Sequence, residues 1–93
     1  MPVQTIERPR TDIGTGVGFG WKVILYNDDW HDFDDVVRQV QKATGYPLER
    51  AEQITYEAHT KGRAVVYTGT KEKCQEVAAV LREIRLQVEI DEA

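Results

Sequence analysis

Hydrophobic and polar positions along the chain fall into two periods, and each change of period marks an element. Trp21-Lys22-Val23-Ile24-Leu25-Tyr26 is a short, nearly unbroken apolar run of the kind that forms a strand, and it stops abruptly at Asn27-Asp28-Asp29-Trp30. The period then becomes helical. Phe33, Val36, Val37, Val40 and Ala43 share one face, with Arg38, Gln39, Gln41 and Lys42 opposite. Asp32 or His31 is expected to cap this helix, its first-turn acids suit the helix dipole, and Gly45 ends it. Pro47 suits the first turn of a second helix, whose inner stripe is Leu48, Ala51, Ile54, Thr55 and Ala58, closed by Gly62. That stripe is thin. It leaves room for close helix packing or for something that is not part of the chain.

Residues 63–68 are β-branched and aromatic and predict a second strand, broken by Gly69. Thr70 caps a third helix that presents Cys74, Val77, Ala78, Leu81 and Ile84 on one face. Residues 86–90 alternate as a half-buried third strand, ended by Asp91-Glu92. The expected order is β-α-α-β-α-β, an α+β fold with a three-stranded sheet and three helices packed on one face.

Residues 1–20 break both periods. They carry two prolines and the glycines at 14, 16, 18 and 20, and they predict a flexible Gly-rich arm ahead of a single domain over 21–93. At 93 residues the chain supports one modest core and no large enclosed active site. The net charge of −4, with no basic patch carrying interleaved aromatics, argues against nucleic acid. No apolar run approaches the ~18 residues a membrane helix needs. A single cysteine, Cys74, excludes an internal disulfide. A cytoplasmic, monomeric domain is the expectation.

The chemistry concentrates where the first strand ends. Asn27, Asp28 and Asp29 make an Asx turn on local grounds alone. They also form a cluster of acceptors, and a cationic partner is the natural occupant of such a cluster. His59, near the end of the second helix beside its inner stripe, is the best third acceptor, against the commoner reading of a satisfied boundary histidine. Together a carboxylate, an amide oxygen and a neutral imidazole match the three N–H donors of an ammonium group. A metal-dependent enzyme using Asp28, Asp29, Asp32, Asp34 and Asp35 is the alternative from another class. The spacing, however, lacks the glycine and terminal glutamate of a calcium loop and the His/Cys pairs of a zinc site. Cys74 falls on an apolar helix face, the chain contains no serine, and no phosphate loop or dinucleotide fingerprint is present, so catalysis is not expected.

Asn27-Asp28-Asp29-Trp30 at the strand end, then Glu49-Arg50-Ala51, Gln53-Ile54, Ala58-His59 and Gly62-Arg63-Ala64-Val65, resemble the ClpS family of Clp protease adaptors over residues 21–90. The resemblance implies a non-catalytic adaptor without cofactor or metal. It would bind proteins or peptides beginning with Leu, Phe, Tyr or Trp and pass them to a Clp-family AAA+ unfoldase. By the same resemblance Asn27, Asp28 and His59 would hold the substrate's α-amino group, and His31, Phe33, Val36, Thr55, Ala58 and Leu86 would line the side-chain pocket. Phe33 stands where the family usually has methionine, and His31-Asp32 where it has Thr-Pro. Thr55 and Ala58 replace a usual methionine and valine. The arm over 1–20 would match the family's extension that engages the unfoldase, and Glu72 would mark the docking surface. The element order is also similar to the C-terminal domain of the ribosomal stalk protein, a plain interaction module.

Overall fold

Trp21–Tyr26, expected as the first strand, forms the centre of the sheet. The structure is a computed structural model that describes residues 20–93. Its elements are β1 (Trp21–Tyr26), α1 (Phe33–Thr44), α2 (Leu48–Lys61), β2 (Arg63–Gly69), α3 (Lys71–Arg82) and β3 (Val88–Glu92). The sheet is antiparallel in the order β2-β1-β3, so β1 is paired along both edges. This explains why β1 reads as almost continuously apolar. Val23 and Leu25 point into the core, and even Ile24 on the other face is nearly covered.

Val23 and Leu25 pack with Ala64, Val66 and Val88 from the sheet and with Val37, Val40, Ala51, Cys74, Val77 and Leu81 from the helices. The helices lie on this face, as expected, and the opposite face carries Lys22, Val65, Glu89 and Asp91. Between β1 and β2 the register steps from Val23↔Tyr67 to Ile24↔Val65, leaving Val66 unpaired as a bulge. The step allows Val66 and its neighbour Tyr67 both to face the core.

Several local expectations are corrected. Asp32 occupies the N-cap position of α1 but makes no side-chain capping bond there, and the His31 ring is engaged elsewhere. Pro47 is the N-cap of α2 rather than a residue of its first turn. Gln39, expected on the polar side of α1, is 8% exposed, and its Nε2 donates to the Val80 carbonyl at 2.6 Å on α3. Gly69 ends β2 as a paired residue opposite Trp21 instead of breaking it. The third strand spans Val88–Glu92 rather than 86–90. Arg85 adopts φ 64°, which turns the chain and frees Leu86 from the ladder, while Asp91 continues it opposite Lys22. Thr70 caps α3 as expected, its Oγ1 accepting from the Lys73 amide at 3.1 Å.

The expected arm over 1–20 falls, up to residue 19, outside the described residues. Gly20, its last residue, receives the Ala93 amide on its carbonyl at 2.6 Å.

Gly45 and Gly62 end α1 and α2 in the left-handed region, at φ 79° and 93°, with amides closing onto Gln41 and Ala58. A Cβ at either position would meet nothing within 4 Å, so a substitution there strains the backbone alone. Gly45→Ala and Gly62→Ala are therefore each expected to destabilise the fold by about 1–2 kcal/mol in urea denaturation. Unchanged midpoints would contradict the capping assignment.

Candidate functional site

The turn that leaves β1 is held from both sides. The Asn27 amide donates to the Gly62 carbonyl at 2.9 Å, which fixes the end of β1 against the end of α2. Asp28 then folds the following residues around its own carboxylate: Oδ1 accepts from the Trp30 amide at 3.1 Å and the His31 amide at 2.9 Å. This is the Asx turn expected from local chemistry. It leaves Oδ2 free to meet the His31 ring, whose Nδ1 lies 2.6 Å away.

Between this turn, α1, α2 and the α3–β3 connection lies a cavity of about 230 Å³. That volume is below the ~300 Å³ of the smallest sites for drug-sized ligands and suits one side chain. Asn27, Asp28, His31, Phe33, Val36, Thr55, Ala58, His59 and Leu86 all line it. Every residue expected from the sequence at the amine clamp or the pocket is thus brought together. Glu72 is not among the lining residues; it lies exposed on the first turn of α3. Asp29, from the acceptor cluster at the strand end, also lines the cavity, as do Leu25 and Tyr26, which were not expected. The inward alternation of β1 carries the signal for Leu25.

Polar and apolar groups are segregated. Asn27 and His59 are exposed, whereas Val36, Thr55, Ala58 and Leu86 are buried. The thin stripe of α2 divides between both of its expected uses, since Ala51 belongs to the packed core whereas Thr55 and Ala58 open onto the cavity. Thr55 adds little polarity to that wall, because its hydroxyl donates to the Ala51 carbonyl one turn back at 2.8 Å. Phe33 remains 39% exposed, so it stands at the mouth and does not refill the space.

His31 differs from an ordinary lining residue. Its side chain is 9% exposed, and its Nε2 lies 2.5 Å from the Ile84 carbonyl, opposite the Asp28 contact on Nδ1. Both ring nitrogens face acceptors, an arrangement satisfied only by the doubly protonated ring. Burial by itself pulls the His31 pKa down, but the Ile84 carbonyl and the Asp28 carboxylate outweigh it and raise the pKa above its ordinary value. Burial likewise pushes Asp28 up, and is outweighed by the amide and ring of His31 and the Trp30 amide, which lower it. The Ile84 carbonyl is a backbone group at the α3–β3 turn, and no sequence pattern announces it.

The other acids of the turn and first helix lie on the exposed side of the chain. Asp35 pairs with Arg38. Among the described residues no three His, Cys, Asp or Glu side chains converge as a metal cluster. No helix of the described residues is long and apolar enough to cross a membrane.

The model of the family described as ATP-dependent Clp protease adaptor protein ClpS matches residues 19–89. The chain belongs to the ClpS family. A ClpS adaptor of Salmonella gallinarum is 34% identical over 61 residues, covering 66% of this chain and 58% of that protein. One from Synechococcus is 33% identical over 69 residues, covering 73% of this chain and 76% of that protein. The chain spans less than two thirds of the length of several ClpS relatives, 58% and 59% for those of Salmonella and Xanthomonas campestris. In fold, it superimposes with a TM-score of 0.74 on the structure of Agrobacterium tumefaciens ClpS2 bound to L-phenylalaninamide. That match covers 78% of this chain and 95% of the other at 19% identity.

The Asp28–His31 pair makes stability depend on pH from both sides. Asp28, lowered in the fold, contributes stability above its unfolded pKa of about 3.9, and this is lost as pH falls through its folded value. His31, raised in the fold, contributes stability below its unfolded pKa of about 6.5, and this is lost as pH rises through its folded value. Urea midpoints measured across pH are expected to decline on both sides of this window. His31→Gln should flatten the upper decline, and an unchanged upper limb in that variant would refute the pairing.

Proposed function

We propose that this ClpS-family chain is a non-catalytic adaptor that binds the free amino terminus and bulky hydrophobic first residue of a polypeptide and presents it to a Clp-family AAA+ unfoldase. The observation that carries this reading is the cavity itself, with exposed Asn27 and His59 beside Asp28 and a buried wall of Val36, Thr55, Ala58 and Leu86.

The first residue of a polypeptide is read twice. A free α-amino group, with a pKa near ~8, is mostly protonated at neutral pH and offers three donors. The carboxylate of Asp28, the amide oxygen of Asn27 and a neutral His59 ring are the three acceptors. Asp28 already receives three internal donors, and a carboxylate has about four lone-pair sites, so one remains. An internal peptide nitrogen brings one donor and no charge, and would strand the other acceptors at about 1–3 kcal/mol each. The second reading is the apolar wall, where burial of a Leu or Phe side chain contributes roughly 1.5–3 kcal/mol. Free termini are therefore discriminated sharply and hydrophobic side chains more softly, since one methylene changes binding by only ~1–3 kcal/mol.

L-phenylalaninamide, the molecule on Agrobacterium tumefaciens ClpS2, combines a free α-amine with a benzyl group and so matches both readings. The open mouth left by Phe33 and the small Thr55 and Ala58 favour large first residues, Leu, Phe, Tyr and Trp. Glu72, exposed on α3 and separate from the cavity lining, is the proposed unfoldase contact.

A fluorescent peptide beginning with Phe or Leu is expected to bind, and its N-acetylated twin to bind at least about 100-fold more weakly, a loss of about 2.7 kcal/mol. Equal anisotropy curves for the two would refute the reading. Asp28→Asn removes the charge while keeping the side chain's shape. It is expected to weaken the free-amine peptide at least tenfold, in line with the ~1.5–3 kcal/mol of a charged hydrogen bond.

A further inference from the structure

His31 touches both readers of the proposed site. Its Nδ1 is 2.6 Å from Asp28, in the amine clamp, and its Nε2 is 2.5 Å from the carbonyl of Ile84, two residues before Leu86 in the apolar wall. The link crosses 53 positions of sequence and joins the turn after β1 to the turn before β3. Trp30 covers the ring, with centroids 4.0 Å apart and planes tilted by 34°, which suits a cationic ring against an aromatic face.

We propose that His31 is a positioning residue of the clamp, an internal cation that occupies Asp28 while the site is empty and that an incoming α-ammonium drives toward its neutral form. This rests on the adaptor reading above. In the empty protein the imidazolium compensates the Asp28 charge and ties the two turns together. An α-ammonium placed on the same carboxylate brings a second positive charge into contact with the pair, and like charges at one carboxylate disfavour each other's charged forms. The neutral ring keeps one N–H, which suffices for Asp28, and gives up the bond to Ile84. Peptide binding thus shifts the second ring proton toward bulk water and loosens the turn that carries Leu86, letting the apolar wall adjust to the arriving side chain.

The charged surroundings of the ring support this assignment. Asp28 faces it directly from the β1–α1 turn, and Asp35 adds a more distant negative charge from α1, itself engaged by Arg38. Glu83 and Arg85 flank Ile84 in the third packed segment, and Glu83 is taken up by Lys42. From α2, His59 lines the same cavity. Among the described residues the acceptors on the ring nitrogens are the Ile84 carbonyl and the Asp28 carboxylate, and of the two only Asp28 is also offered to the ligand, so what else Asp28 holds bears on the protonation of His31.

The experiment is an NMR titration of the imidazole protons and nitrogens in the whole chain, without and with a saturating peptide that begins with Phe. The empty protein should keep both His31 ring protons to a higher pH than an ordinary histidine does. Bound peptide should lower the His31 pKa by about one unit, equivalent to about tenfold tighter peptide binding to the neutral ring than to the charged one. Calorimetry near the His31 midpoint found by NMR, in two buffers of different ionisation enthalpy, should show proton release in the native chain and less in His31→Gln. If the peptide binds, its acetylated twin does not, and His31 titrates identically with and without it, this inference falls while the adaptor reading stands. If neither peptide binds, the adaptor reading falls and this inference with it. Unequal proton release that survives in His31→Gln would assign the linkage to another group and overturn the role of His31.

Discussion

A carboxylate drawn partly out of water must be met by donors, and the end of β1 is organised around meeting one. Asp28 gathers two backbone amides on one oxygen and an imidazole on the other, and with the Asn27 amide held by Gly62 this turns the chain from the central strand toward α1. Because β1 is paired on both sides, its direction is fixed. The carboxylate is consequently delivered to one place, between the end of α2 and the turn before β3. An exposed turn of the same sequence on a freer strand would leave Asp28 solvated and of little use for recognition.

The cavity beside it follows from what α2 lacks. A helix packed with large aliphatics at every inward position would close against the sheet. Here Ala51 permits close approach, and Thr55 and Ala58 then fail to fill the space their neighbours leave. Leu86 reaches the same space because Arg85 accepts a left-handed backbone, a conformation costing roughly 1–2 kcal/mol outside glycine. Strain in the turn before β3 and undersized residues on α2 are two faces of one solution: the fold gives up core density to keep a pocket open. The remaining core, with Leu25, Leu81, Val40 and Val77 essentially inaccessible, bears the stability.

Much of this was legible in the residues, and the exceptions share a physical origin. Strand and helix positions followed from period and from the glycines, because those signals are local. Which residues would meet around one cavity also followed, since an Asx-forming turn, a histidine near a helix end and a stripe of small residues each carry their own signature. What escaped were relations across the chain. Gln39 read as a surface residue because nothing local reveals that α3 offers a backbone carbonyl to it. The start of β3 was placed two residues early because alternation continues through Leu86 and Gln87 while the ladder does not. His31 read as pocket lining. Its second partner is a main-chain oxygen 53 positions away, and such partners leave no trace in side-chain order.

The backbone bond between Ala93 and Gly20 sets where attachments to the domain emerge. Both residues sit at the Trp21 end of β1, and six strand residues at about 3.3 Å each separate that end from Asn27. Gly20 and Ala93 therefore both stand at the pole of the domain opposite its opening. A dye, a surface linker or a fused partner joined at either position leaves the mouth of the cavity unobstructed, and two such additions would emerge next to each other.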